Sequence, residues 1–288
     1  MAWFKVSVMK NQVDSGVLRV VGTPIGNLGD MSERARQALV EADFIACEDT
    51  RRSGQLLRLL GIKAPKMMSF YKENEGFKTA GVVDMVAQGK NVVLVSDGGM
   101  PGVSDPGAVL VAAMRKAGLR VEVIPGPSAV VTAVAGSGFE GGFVFAGFPE
   151  RKAKALKTQM EALRSEVRTL VFYESPQRVA ATVAIMAEVF GAEREAWLAR
   201  ELTKMHEEWI GPDLGSLAAV LDARDVKGEC VLVVKGGDGV VEVEGVDDAA
   251  IVKKLKAGGS VKDVAAWVAE VEGGSKKDAY ARVQGLKG

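Results

Sequence analysis

Charged residues in this 288-residue chain gather at a few short points where glycine and proline are also concentrated. Residues 47–52 read Cys-Glu-Asp-Thr-Arg-Arg and set Glu48 and Asp49 beside Arg51 and Arg52. Arginines in such a group either grip a phosphate through paired donors or close a surface ion-pair cluster. Residues 94–107, "LVSDGGMPGVSDPG", hold Asp97 and Asp105 among four glycines and two prolines. A loop of this kind lets backbone approach a ligand, holds a metal or only turns the chain, although hard cations usually collect more than two carboxylates. "PGPSA" (125–129) brings backbone N–H groups to a helix start, a place suited to an anion. "GTPIGN" (22–27) and "YESPQR" (173–178) are further loops of the same character.

Other chemistries are excluded by composition. The single histidine, His206, stands beside Glu207 and Glu208 with no Gly-x-Ser-x-Gly elbow, and reads as an exposed residue rather than a catalytic base. One histidine and two cysteines are too few for zinc, and no metal site is expected. No Walker loop occurs, and "GTPIGN" has glycines only at 22 and 26, so a standard dinucleotide loop is not supported. Cys47 and Cys230 lie in apolar stretches without a CxxC pair and read as reduced core thiols. Thirty-seven basic and thirty-seven acidic residues balance, so a nucleic acid would have to be met by a local patch. "ERKAKALKTQ" (150–159) offers one: Arg151, Lys152, Lys154 and Lys157 are opposed only by Glu150. It is a solvated helix face or a surface for RNA phosphates. Neither a signal-type apolar core near the start nor an 18-residue apolar run is found, and the expected location is cytoplasmic.

The elements that must position these loops follow from the hydrophobic pattern. Apolar runs at 17–22, 44–49, 91–96 and 120–125 alternate with helical patterns, which predicts an α/β fold with a largely parallel sheet. A second α/β block has strands at 143–148, 169–174, 196–203 and 229–236, with helices near 152–165, 176–190 and 214–222. Glycines at 136–142 mark the boundary, giving expected domains of 1–138 and 139–238. Residues 239–288 form a linker and three one-helix segments punctuated by Gly-Gly, a module too small for a robust core of its own.

Taken together, "VGTPIGNLGD", "CEDTRRSGQLL", "LVSDGGMPGVSDPG", "IPGPSA", "FYES" and "LARELTKMHEEWIGP" resemble the small-subunit ribosomal RNA methyltransferase branch of the tetrapyrrole methylase superfamily. The resemblance runs from about residue 17 to 237, and the helical tail is similar to that branch's C-terminal module. It implies two α/β domains with a cofactor cleft between them, a homodimer, and S-adenosylmethionine as methyl donor. The implied reaction is methylation of a cytidine ribose 2′-oxygen in 16S rRNA of the 30S subunit. By carry-over, Pro24, Gly26, Asp97, Gly98, Gly99, Val103, Ser128, Ala129, Tyr173 and Leu202 would line the cofactor pocket. Arg51, Arg52, Arg151, Lys152, Lys154, Lys157 and Lys204 would face RNA, the tail serving as a small RNA-binding module.

The chain departs from the family pattern where S-D-A-G-T-P becomes S-D-G-G-M-P, placing Gly98 and Met100, and where E-D-T-R-H-T becomes E-D-T-R-R-S. A third departure puts Tyr71 and Lys72 ahead of "ENE". Transfer to a ribose hydroxyl calls for alignment and for a base as the proton leaves, with Glu48, Asp49 and Glu174 the candidates. The alternatives are a tetrapyrrole methyltransferase of the same superfamily and an RNA-binding assembly protein without turnover.

Overall fold

The computed structural model describes residues 16–238, 246–272 and 275–286. The first fifteen residues and most of the expected linker, 239–245, lie outside the described residues. The expected α/β architecture is found as two five-stranded sheets followed by a helical part.

The first sheet is built from β1 (Val17–Val21), α1 (Glu33–Val40), β2 (Phe44–Cys47), α2 (Thr50–Leu59), β3 (Lys66–Ser69), α3 (Glu75–Ala87), β4 (Val92–Val95), α4 (Ala108–Lys116) and β5 (Arg120–Ile124). Its strands run parallel in the order β3-β2-β4-β1-β5. The continuous apolar strands are explained by burial on both faces. Val93 and Val95 pack with Leu39 and Leu57 of α1 and α2, while Val92 and Leu94 pack with Val82 of α3 and Leu110 of α4. Ser32 caps α1 by accepting from the Ala35 N–H at 3.2 Å, and Gly61 closes α2 at φ +66°. β3 has no counterpart in the sequence reading, because "KMMS" is a half-buried edge strand without an apolar run.

Next come α5 (Ala129–Ser137), β6 (Phe143–Phe145), α6 (Ala153–Leu163), β7 (Thr169–Glu174), α7 (Val179–Phe190), β8 (Ala196–Arg200), β9 (Glu208–Ile210), α8 (Leu214–Ala223) and β10 (Cys230–Val234). The second sheet has the order β6-β7-β10-β8-β9, with only β6 and β7 parallel. β8 stops short of the expected 203 because Glu201 and Thr203 take left-handed backbone at φ 51° and 65°. α6, α7 and α8 cover one face of this sheet. The other face is covered by α5, whose Val130 and Ala133 pack on Val171, Val231 and Val233. A Cβ on Gly136 would stand 2.4 Å from the Trp209 ring, so glycine is what allows α5 to lie this close. Both sheets belong to one compact unit, Met1–Leu163 with Arg168–Gly236.

The second unit holds α9 (Asp248–Lys256), α10 (Val261–Glu272) and α11 (Lys276–Gly285). Ile251, Val264, Val268 and Val283 make its small core, and Arg282 pairs with Asp248 at 2.7 Å. Ser275 caps α11 and Ser260 accepts from the Asp263 N–H, as the sequence suggests. No helix among the described residues is long and apolar enough to cross a membrane.

One cap is not local. Gly107 starts α4 with no side chain to offer, and the buried Glu75 supplies the missing acceptor from α3. Its Oε1 receives the N–H groups of Gly107 at 2.8 Å, Val109 at 3.1 Å and Leu110 at 3.4 Å. A carboxylate is well matched to the positive end of α4. Glu75→Ala strands these donors, those of Gly107 and Leu110 in buried positions, and is expected to lower unfolding stability by about 2 kcal/mol in urea titrations.

Candidate functional site

The loops leaving the carboxyl ends of β1, β2, β4 and β5 meet the end of β7 and the start of β10 around a cleft of about 500 Å³. Parallel α/β sheets present ligand sites at this edge. The loops are drawn together backbone to backbone. Thr23 and Gly99 exchange both N–H···O bonds at 2.9 Å, with Gly99 at φ +91°. Gly22 and Gly126 lie so close that a Cβ on Gly126 would be 2.8 Å from the Gly22 Cα. Gly98 is nearly as confined, since a Cβ there would meet the Pro24 carbonyl at 3.3 Å.

Asp97 fastens the loop after β4 to the loop after β2. Its Oδ1 accepts from the Asp49 N–H at 3.1 Å and its Oδ2 faces Arg52 at 3.4 Å. Asp49 itself caps α2 and is clasped by Arg51 at 2.7 Å, which holds its carboxyl down to about 2. Glu48 differs. Burial, then the negative charges of Asp105 and Asp97, push its carboxyl above the usual range, against a hydrogen bond from the Asp97 N–H and the charge of Arg52. Asp105 is raised in the same direction, by burial and by Asp97, and is partly relieved by the Ser96 hydroxyl. Tyr173 carries a raised phenol pKa, chiefly from burial, and its ring meets Phe145 edge-on at 4.9 Å and Phe148 at 5.6 Å.

Of the residues singled out from sequence, Pro24, Asp97, Gly98, Gly99, Val103, Ser128, Ala129 and Tyr173 line the cleft. Gly26 and Leu202 do not; they form a closed seam beside it. Leu202 is 5% exposed, and a Cβ on Gly26 would stand 3.2 Å from the Leu202 carbonyl and 2.4 Å from Lys204. Glu48 and Glu174 reach the lining and Asp49 does not. Glu174 is fully buried and committed on both oxygens: Oε1 accepts from the Ser175 N–H at 2.7 Å and Oε2 from Thr182 at 2.6 Å, with Arg178 at 3.4 Å. Arg52 lines the cleft, whereas Arg51, 90% exposed, is turned to Asp49.

The remaining basic residues lie elsewhere. Lys204 is held by Glu201 at 2.8 Å and Glu229 at 3.0 Å. Lys157 pairs with Glu188 at 2.6 Å; Arg151, Lys152 and Lys154 are exposed at the start of α6 and outside the cleft. His206 is exposed and outside it too, and the two cysteines are buried and free. Among the described residues no three His, Cys, Asp or Glu side chains converge as metal ligands.

Asp105, Phe148 and Glu229 also line the cleft and had been given no role. Asp105 precedes a proline and passes for a turn former, and Phe148 ends an ordinary apolar strand. Glu229 is brought in by antiparallel β10, whose partner strands no local pattern reveals. The full lining holds Glu48, Asp97, Asp105, Glu174 and Glu229 and one basic residue, Arg52; Arg178 pairs with Glu174 and Lys204 with Glu229 from outside it. Such a cleft favours a cation in its interior and an anion only at the Arg52 rim, where that side chain is 66% exposed.

The tetrapyrrole (corrin/porphyrin) methylase family model matches residues 17–218. Proteins named ribosomal RNA small subunit methyltransferase I are similar over most of the chain. That of Haemophilus influenzae is 44% identical over 77% of this chain and 79% of its own. That of Pasteurella multocida is 40% identical over 92% and 96%. That of Thermotoga maritima is 40% identical over 77% and 99%. Among solved structures, the methyltransferase CobJ gives a TM-score of 0.59 at 20% identity, covering 77% of this chain and 95% of that one. Uroporphyrin-III-C-methyltransferase from Thermus thermophilus gives 0.53 at 20% identity, covering 77% and 93%, so the fold is shared.

The acid cluster can be tested directly. Removing the Asp105 charge makes Glu48 easier to ionise, so in Asp105→Asn the Glu48 carboxyl should titrate at lower pH than in the unmodified protein. Carboxyl-carbon NMR titration measures this; Asp49 should remain low in both proteins, because its partner Arg51 is untouched.

Proposed function

The chain belongs to the tetrapyrrole methylases and, within them, to the ribosomal RNA small subunit methyltransferase I family, and from that premise we propose that it methylates a cytidine ribose 2′-oxygen of 16S rRNA in the 30S subunit, with S-adenosylmethionine as donor. The observation that carries this reading is the cleft: the carboxyl groups of Glu48, Asp97 and Asp105 and closely approaching backbone suit a sulfonium cation, and the single rim arginine suits a phosphate. The donor, when bound, supplies an electrophilic methyl carbon. Asp97, Gly98, Gly99, Ser128, Ala129 and Tyr173 would hold it; Pro24 and Val103 would close its sides.

Everything else is supplied by the chain. α5 leaves the loop after β5 and packs on the second sheet, so the wall that starts at Ser128 and Ala129 is preset and a hydroxyl entering there is oriented rather than searched for. Of the three candidate bases, Glu48 is favoured. Asp49 is too acidic and clasped, and both oxygens of Glu174 already serve the loop after β7. Glu48 lines the cleft with a raised carboxyl pKa, nearer the working pH at which a base is effective. Arg52 places the adjoining phosphate, and the exposed Arg151, Lys152 and Lys154 extend the contact along the RNA. Lys204, tied to two carboxylates, serves the seam instead. In this reading the protein is cytoplasmic and homodimeric, with 1–138 and 139–238 as the two walls and 239–288 as an RNA-binding module.

Calorimetry should show saturable binding of S-adenosylmethionine, and labelled methyl should enter 30S particles in preference to naked rRNA or a porphyrinoid. Incorporation into the porphyrinoid alone would select the small-molecule alternative, and absence of donor binding would leave the RNA-binding one. Glu48→Gln is expected to reduce kcat by about 10²–10⁴-fold, far more than it weakens donor binding. Intact turnover after alanine replaces Glu48, Asp49 and Glu174 together would remove the base from the mechanism.

A further inference from the structure

Beside the cleft lies a second cavity of about 420 Å³, between the loop after β6 and the first turns of α6 and α7. Its apolar floor includes Leu156 and Ile185, while Ala153 and Ala181 stand exposed at its edges. Phe148, Glu174 and Ser175 line this cavity and the cleft alike, so the two adjoin. Phe148 is 59% exposed although it is a large apolar ring, and its edge-on contact with Tyr173 fixes its position.

The walls are fastened before any ligand arrives. Arg178 donates to the carbonyls of Pro149 at 3.0 Å and Glu150 at 2.8 Å and is anchored on Glu174. The Glu150 N–H is in turn received by Gln159 at 3.0 Å. At the mouth stand Arg151, which lines the cavity, and the exposed Lys152 and Lys154 that follow it. Gln177 adds an exposed amide with both donor and acceptor atoms.

We infer that this cavity receives an unstacked base of single-stranded RNA, the neighbour of the nucleotide that enters the cleft. The inference rests on the reading of the cleft as an RNA-methylating site. Sequence-tolerant recognition of single strands combines an exposed aromatic platform with cations that follow the backbone, which is what Phe148 and Arg151 to Lys154 provide. The apolar floor shelters the ring of a base, Gln177 meets its polar edge, and its phosphate lies toward Arg151. Holding the neighbour would splay the target nucleotide out of its stack and steady it against Glu48.

Fluorescence anisotropy of the full-length protein with a labelled, mixed-sequence 12-nucleotide single-stranded RNA tests this, with S-adenosylmethionine calorimetry run on the same samples. Ala181→Trp fills the cavity from α7 without touching the cleft. It should weaken RNA binding by about tenfold or more at every salt concentration, leaving the salt slope and the donor Kd unchanged. Arg151→Ala should do the reverse and lower the salt slope by about one. Should Ala181→Trp also lose the donor, Ala153→Trp fills the same space from α6 and decides the matter. RNA affinity equal to that of the unmodified protein in a filled variant that still binds donor overturns the inference, as would RNA binding that no salt series can separate from phosphate contacts alone. Failure of the parent reading looks different: the unmodified protein would then bind no donor or methylate no small-subunit RNA, whatever its affinity for the 12-mer.

Discussion

β1 runs between β4 and β5, and the loops leaving these three strands touch through their backbones. The contact of Gly22 with Gly126 leaves no room for a side chain, and Gly99, paired with Thr23, takes a backbone at φ +91° that side chains rarely adopt. This closeness decides what the cleft is made of. Beside these contacts Gly98 and Gly99 bring backbone to the lining, and its charges are carried by Glu48, Arg52, Asp97 and Asp105. The second sheet supplies the other side through the end of β7 and the start of β10, and α5 runs from the "PGPSA" loop onto that sheet.

The rim separates its carboxylates by environment rather than by residue type. Asp49, clasped by an arginine and by the backbone of its own helix, is held strongly acidic; Glu48, next to it in sequence, is buried and then crowded by two like charges, and is not. Two adjacent acids thus differ in what they can do with a proton. Glu174, with Thr182, Ser175 and Arg178 around it, is a structural carboxylate that shapes the boundary between the cleft and the second cavity.

The strand-helix alternation and the loops at strand ends could be read from the chain, because strands buried on both faces are continuous apolar runs and their ends are marked by glycine and proline. The parts that escaped have physical reasons. β3 and β9 are short edge strands, and pairing rather than composition creates them. Leu202 sits two residues past the end of β8, in a loop with left-handed backbone, which turns it into the seam rather than the cleft. Asp105 and Glu229 join the cleft only through folding over distances that a motif of a few residues cannot span. The Thermotoga maritima relative, spanned over 99% of its length by 77% of this chain, has almost no counterpart for the remainder.

Glu75 has a consequence for the order in which the molecule assembles. A helix normally carries its own cap, so that its first turn can form before it finds partners. α4 cannot do so, since its acceptor arrives on α3, some thirty residues earlier. The first turn of α4 is therefore capped only when α3 is seated on the sheet. The amide protons of Gly107, Val109 and Leu110 would then open to solvent together with α3 instead of fraying one by one. The end of the most glycine-rich stretch of the cleft is tied in this way to the cooperativity of the sheet beneath it.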